Sequence, residues 1–252
     1  MALLEKTRTT AAVKWLQRVV DLVYPRNCQF CAEALTEEHC GVICPACLAK
    51  AKPIEPPFCQ RCALPFAGKL DEPFECGYCA NLRLHFSRAV AACRAEGVVR
   101  DCIHRFKYNR EMYFEQHLAD WLTAAGKRWI DWQRVDAIVP VPLYPRKERQ
   151  REFNQAERLA RALSRAVDVP VLARHLRRVK ETSTQTRLDA TTRRANVRNA
   201  FAARQGGEVF VGKRLVLVDD VFTTGATMDA CAKVLRVAGA QEVTALAVAR
   251  GI

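Results

Sequence analysis

Two stretches of this 252-residue chain carry side chains whose types and spacing suit chemistry. The first is RLVLVDDVFTTGAT, residues 214–227. Four apolar residues, Leu215 to Val218, read as a buried strand running directly into Asp219 and Asp220. Adjacent carboxylates at a strand end repel each other and lose hydration, a costly arrangement unless something donates to them. A vicinal diol, such as the 2′ and 3′ hydroxyls of a ribose, offers two O–H donors side by side, and a bound Mg²⁺ would help neutralise the pair. Val221 leads on to Thr223, Thr224, Gly225, Ala226 and Thr227, which supply the opposite chemistry. Gly225 permits close backbone approach, amides and threonine hydroxyls donate, and a helix begins there with its positive dipole end. Diol acceptors and phosphate donors a few residues apart describe a site for a ribose 5-phosphate. A Walker B strand would need a G-x-x-x-x-G-K-[ST] loop elsewhere, and Gly68-Lys69 lacks both the earlier Gly and the following Ser/Thr. A merely capped helix would explain one residue of the run and not the whole of it.

The second stretch lies near the N-terminus. Of twelve cysteines, eight form four C-x-x-C pairs: Cys28/Cys31, Cys44/Cys47, Cys59/Cys62 and Cys76/Cys79. Each C-x-x-C turn sets two thiolates on one side of a tight knuckle, and two knuckles complete a tetrahedral site suited to Zn²⁺. The simplest pairing is sequential, the first four cysteines in one site and the last four in the other. A disulfide framework would need an oxidising compartment, and no export signal supports one. Four repeats are three more than a redox motif needs. His39 and Cys40 are conceivable substitute ligands, although thiolates already fill the four positions. The metal should be structural, because residues 28–79 hold few large apolar side chains and metal binding supplies the missing folding free energy. Cys93, Cys102 and Cys231 lie in apolar patterns and read as core.

Other elements must position these groups. From about Phe86, strands and helices alternate. SRAVAACRAE reads as a strand, GVVRDCIHRFKYNR and YFEQHLADWLTAAGKRW as helices, Ala137–Pro140 as a short buried strand and FNQAERLARALSRAV as an amphipathic helix. Leu215–Val218 and Val243–Val248 read as buried strands flanking a helix from about Ala226 to Ala238, which Gly239 stops. Such alternation implies an α/β fold, a mostly parallel sheet with helices on both faces and ligands at the carboxyl ends of the strands. The expected domains are residues 1–84, an N-terminal helix with the cysteine ribbons, and residues 85–252. No apolar run reaches the length of about 20 residues that a membrane span requires. The first 25 residues hold Arg and Thr, as a mitochondrial presequence does, but Glu5 and Asp21 favour a helix packed on its own protein, and the expected location is the cytosol.

The net charge of +13 is concentrated. Residues 146–214 hold 18 basic and 7 acidic side chains, a net of +11, while the other segments nearly balance. A stripe of this kind attracts polyanions by neutralising phosphates, unless it is only a solvated basic face.

VLVDDVFTTGAT resembles the phosphoribosyl-pyrophosphate (PRPP) motif of type I phosphoribosyltransferases, and four cysteine pairs preceding such a domain resemble the ComF family, also called the GntX or double-zinc-ribbon family. Three further stretches carry the likeness. They are HRFKYNRE with Lys107 and Tyr108; VPVPLYPRKERQREFNQAERLA with Phe153, Asn154 and Gln155; and TSTQTRLDATTRRANVRNAF with Thr182, Gln185, Leu188, Arg193, Asn196 and Phe201. The resemblance implies that Asp219 and Asp220 hold the ribose hydroxyls and that residues 223–227 bind the 5-phosphate. It also implies that the turn Val141, Pro142, Leu143, Tyr144 faces pyrophosphate through an unusual cis peptide, with Lys107 nearby. Arg146, Lys147, Arg149 and Arg151 would neutralise pyrophosphate or touch nucleic acid. Where the family commonly has Gly before Phe-Asn-Gln, this chain has Glu152, which brings negative charge near a proposed anion site.

The family implies a cytosolic role in DNA uptake during natural transformation, with PRPP, Mg²⁺, single-stranded DNA and a helicase-like partner as ligands and the zinc ribbons as docking modules. The alternatives are a phosphoribosyltransferase acting on an unknown acceptor, and a binding module whose PRPP site is regulatory or vestigial. No single acid or base is obligatory for oxocarbenium-like chemistry, so no catalytic residue is named; His104, His117 and His175 read as packed or solvated histidines.

Overall fold

In the computed structural model the described residues are 26–36, 41–69, 72–181, 195, 197–204 and 207–251. The expected N-terminal helix, His39, Cys40, Thr182, Gln185, Leu188, Arg193 and Asn196 lie outside them. The chain divides into two compact units, Met1–Lys50 and Ala51–Ile252.

The first unit is a cysteine ribbon. Residues Asn27 and Ala34 form an antiparallel bridge. The first knuckle closes when Ala32, at φ 60°, donates its N–H to the Cys28 carbonyl at 2.9 Å. The second knuckle leads into one turn of helix, Pro45–Leu48, with Pro at its start where the missing N–H costs nothing.

The second unit opens with a ribbon of the same construction, a Phe58–Pro65 bridge and one helical turn at Gly77–Ala80. Four parallel strands follow in the spatial order β1–β6–β5–β2: β1 Arg88–Arg94, β2 Ala137–Pro140, β5 Arg214–Phe222 and β6 Glu242–Arg250. The helices are α1 Gly97–Tyr108, α2 Glu115–Trp129, α3 Pro145–Arg151, α4 Gln155–Val167 and α5 Ala226–Val237. A separate antiparallel pair joins β3 Leu176–Arg178 to β4 Phe201–Ala203; at three residues each, these strands are too short for periodicity to reveal.

The sheet is covered on both faces, which is why its strands read as unbroken apolar runs. Leu215, Leu217, Ala137, Val139, Ala245 and Ala247 share one core with Met228, Cys231 and Leu235 of α5. On the other face, Leu246 of β6 and Leu163 of α4 both close on Gly126 of α2, where a Cβ would sit 3.4 and 3.5 Å from them. The expected doubly covered parallel sheet is therefore present.

Three local expectations change. Strand β5 does not stop at Val218 but continues to Phe222, because β6 runs on beside it and pairs Asp219 with Ala247 and Phe222 with Arg250. The helix expected from Phe153 begins at Gln155, because the Asn154 side chain accepts from the Ala156 N–H at 3.0 Å and caps it. The expected cis peptide in the 141–144 turn is not there: among the described residues the cis bond is Pro56-Pro57. The trans turn needs no such strain, since the Val141 N–H donates to the Val218 carbonyl at 2.9 Å and its carbonyl accepts from Asn154 at 3.1 Å. No helix among the described residues is long and apolar enough to cross a membrane.

Candidate ligand site and metal centres

The eight paired cysteines gather in two sets, Cys28/Cys31/Cys44/Cys47 and Cys59/Cys62/Cys76/Cys79, with all Sγ atoms of a set within 4.8 Å of one another. Tetrahedral Zn²⁺ with bonds of 2.3 Å sets sulfur–sulfur edges of about 3.8 Å. The cross-knuckle edges are 3.6 Å for Cys31–Cys44 and 3.8 Å for Cys62–Cys76. Backbone amides donate to the sulfurs, Cys44 N–H to Cys28 and Cys76 N–H to Cys59, each at 3.3 Å. Within the second set the Cys59 thiol is drawn down to about 4, first by its hydrogen bond with Cys62, while that same bond pushes Cys62 up and burial pushes Cys79 up to about 12. Four sulfurs held in this shape fit structural zinc, and the pairing is sequential.

The acidic pair lies where β2 has ended. The last β2–β5 partners are Pro140 and Val218, so Asp219 and Asp220 stand on a stretch of β5 paired only with β6. Because both are within the strand, their side chains leave toward opposite faces rather than side by side. Asp220 is 3% exposed, and its Oδ1 meets Lys107 Nζ of α1 at 2.7 Å. Its Oδ2 is buried with no hydrogen-bond partner. Asp219, half-buried, accepts from the Asp220 N–H at 2.9 Å. Burial, and then the Asp220 charge, push its carboxyl from 3.8 up to about 7, against the pull of Lys107 and Arg178. Val221 completes the run, half-buried and paired with Ala249.

The chain then turns tightly over a phenyl ring. Gly225 has φ 76°, and a Cβ there would lie 2.6 Å from the Phe222 ring. Only glycine suits both the backbone and the space. Thr223 is exposed, Thr224 half-buried with its Oγ1 3.4 Å from the Ala226 N–H, and Ala226 and Thr227 form the first turn of α5. The first amides of α5, which have no intrahelical acceptor, and the threonine hydroxyls make a donor-rich end on a helix of twelve residues.

Opposite lies the 141–144 turn. Val141 and Pro142 are buried, while Leu143 and Tyr144 are half-buried, and Pro145 starts α3. Asn154, 8% exposed, fixes this turn and caps α4 with one side chain. The sequence gives a signal for the cap, an Asn immediately before a periodic helix, but none for its bond to the Val141 carbonyl thirteen residues away. Gln155, also buried, accepts from Arg151 Nη1 at 2.9 Å.

The four cations after the turn separate. Lys147 and Arg151 line a cavity of about 170 Å³ with Lys107, Tyr108, Arg110 and Gln150. Burial, and then the charges of Arg178 and Arg151, lower the Lys147 pKa. Arg151 also lies over the Tyr108 ring at 5.0 Å. Arg146 faces Glu181 at 3.6 Å, and Arg149 is exposed. Glu152 takes φ 69°, the left-handed conformation natural to glycine, and its carboxylate pairs with Arg110 at 2.6 Å on the surface. Its charge is thus met by Arg110. His117 is buried in α2, with its pKa lowered by burial, as a packed histidine.

Residues 19–83 match the double zinc ribbon domain family, and residues 154–252 match the phosphoribosyl transferase domain family. Competence protein F of Haemophilus influenzae is 33% identical over 82% of this chain and 90% of its own length. DNA utilization protein YhgH of Escherichia coli K12 is 31% identical over 88% of this chain and 96% of its own. Among solved structures, a Bacillus subtilis glutamine PRPP amidotransferase aligns at 23% identity over 52% of this chain and 25% of its own, with a TM-score of 0.34. With a double ribbon, a phosphoribosyl transferase domain and near-full-length likeness to a competence protein, this chain belongs to the ComF family.

Proposed function

We propose that this chain acts in DNA uptake during natural transformation, binding PRPP at the carboxyl ends of β2 and β5 and single-stranded DNA through Arg146, Lys147, Arg149 and Arg151. In this reading the ribbons within residues 1–84 dock a helicase-like partner, and residues 85–252 carry the phosphoribosyl-binding fold, in the cytosol. The observation that carries it is the Asp220 carboxylate, buried, half satisfied by Lys107 and otherwise without a donor. A buried acceptor of this kind asks for a hydroxyl or a metal ion. A ribose diol meets Asp219 and Asp220 from the side of β5 that β2 has left, its 5-phosphate takes the 223–227 turn, and Mg²⁺ joins the pyrophosphate. Lys107 and Arg110, which line the neighbouring cavity, bring positive charge for pyrophosphate. The names of the competence and DNA-utilization relatives support the DNA side of the reading.

Titration calorimetry with PRPP and Mg²⁺ tests the site. Asp219→Asn with Asp220→Asn should weaken binding by about a hundredfold or more, as expected for two charge-assisted contacts. Unchanged affinity would remove the assignment. Fluorescence anisotropy with a labelled single strand tests the DNA reading. Affinity should fall steeply with salt, by a slope of about −0.7 per phosphate contacted, and replacing all four cations by Ala should flatten that slope. A shallow wild-type slope would reject DNA binding through this segment. Pyrophosphate release from PRPP across a panel of bases would assign transfer chemistry instead of binding alone.

A further inference from the structure

Arg250, the last residue of β6, is 6% exposed, and no carboxylate among the described residues pairs with it. Its guanidinium is instead spread between two places far apart in sequence. Nε donates to the Cys62 carbonyl at 2.8 Å, and Nη2 reaches Cys62 Sγ at 3.8 Å. Nη1 donates to the carbonyls of Thr223 at 2.5 Å, Phe222 at 3.3 Å and Gly251. The group also lies 5.1 Å over the Phe222 ring, the ring on which Gly225 closes. Phe222 in turn meets Phe86 edge-on at 5.8 Å, and both share a core with Cys59, Cys62 and Cys79.

One side chain therefore joins a cysteine of the second metal set to the backbone that enters the glycine turn. The rigid fork of arginine makes such simultaneous contacts possible. A buried guanidinium whose partners among the described residues are neutral carbonyls and a sulfur is stabilised further by negative charge nearby. Four thiolates around one divalent ion carry a net charge of −2 and lie beside it. An ion bound by these four sulfurs would also hold the Cys59–Cys62 knuckle in shape, and so fix the Cys62 carbonyl that Arg250 uses.

We propose that Arg250 is a positioning residue that makes the 223–227 turn depend on the metal of the second cysteine set. By occupying the Phe222 and Thr223 carbonyls, it leaves the amides of the turn as the groups that face a ligand. This rests on the reading of that turn as a phosphate site only for its effect on affinity; the mechanical link stands or falls separately.

The test combines zinc content, PRPP–Mg²⁺ titration, and amide exchange in the ligand-free full chain of Asp229 and Gly251, whose N–H groups donate at 2.8 Å to the Gly225 and Phe222 carbonyls. Arg250→Gln should leave two zinc ions per chain, speed exchange of these two amides by about tenfold or more, and weaken PRPP binding similarly. Arg250→Lys keeps the charge but not the fork, and should fall between the two; it also serves if the Gln variant does not fold. Cys62→Ser should reproduce the faster exchange with one zinc lost, whereas Cys28→Ser with Cys31→Ser should lose one zinc and leave the exchange of Asp229 and Gly251 unchanged. Unaltered exchange in both Arg250→Lys and Cys62→Ser would overturn the link. Faster exchange in a protein whose wild type binds no PRPP would uphold the link and reject the phosphoribosyl reading.

Discussion

The two cysteine ribbons repeat one construction in different settings. Each has a left-handed alanine closing its first knuckle, Ala32 at φ 60° and Ala63 at φ 55°, and each has an amide donating to its first cysteine sulfur at 3.3 Å. In the first, Cys31 is exposed. In the second, Cys59, Cys62 and Cys79 lie in the core that also holds Phe86, Leu217 and Leu235. The Arg61 carbonyl accepts from the Ala89 N–H of β1 at 3.0 Å, so the second ribbon also completes the sheet's edge. The same metal chemistry thus has two uses. A small ribbon that cannot bury enough apolar surface relies on the ion for its own fold. A ribbon built into a larger core would carry the ion's rigidity outward, through Cys62 and Arg250, to the glycine turn at 223–227.

The largest expected effect would break this contrast if it were absent. Cys59→Ser with Cys62→Ser should destabilise the second unit by more than about 4 kcal/mol, roughly 10 °C in its calorimetric midpoint. Cys28→Ser with Cys31→Ser should leave the main transition within a few degrees, at about 1 kcal/mol or less. Equal shifts would mean that the two settings do not differ energetically. Next comes the loop that the second ribbon supports. Gly225→Ala puts a methyl against the Phe222 ring and an L side chain at positive φ; it should cost about 1–3 kcal/mol in urea unfolding and reduce PRPP affinity.

A smaller effect follows from Asp219, whose pKa is raised from 3.8 to about 7. The folded state keeps this proton where the unfolded chain has lost it. The contribution of this group to stability therefore falls as pH rises from about 4 to about 7. Ligand affinity should move the other way, rising between pH 6 and 8 by at most about tenfold per pH unit as the carboxylate forms. Asp219→Asn should remove that part of both pH profiles, and profiles identical to wild type would place the titration elsewhere. The smallest effect lies outside both ribbons. Glu152→Gly relieves a left-handed glutamate at the loss of a surface ion pair with Arg110, and should stabilise the protein by about 0.5 kcal/mol. Destabilisation would show that the Arg110 pair outweighs the backbone strain.

Residues near in sequence made much of this legible. The cysteine spacing announced two four-sulfur sites, and their sequential pairing followed from the simplest ordering of knuckles. The Leu215–Val218 run announced a strand buried on both faces, and Gly225 announced a turn that only glycine tolerates. The hidden features were of another kind. Whether β5 stopped at Val218 depended on β6, which runs beside it to Arg250. That extension sends Asp219 and Asp220 toward opposite faces, where adjacency in sequence suggested a side-by-side pair. Glu152, whose charge stands next to the basic run in sequence, is answered by Arg110.

By itself, then, the sequence determined the chemistry available: two sets of thiolates, an acidic doublet, a donor-rich glycine turn and a basic segment. These depend on spacings of a few residues, which backbone geometry alone converts into local shape. The tertiary structure decided which groups meet: Lys107 with Asp220, Asn154 with the Val141 carbonyl, and Arg250 with Cys62 across 188 positions. Sheet order and strand length set those meetings, and they emerge only when distant segments pack against one another.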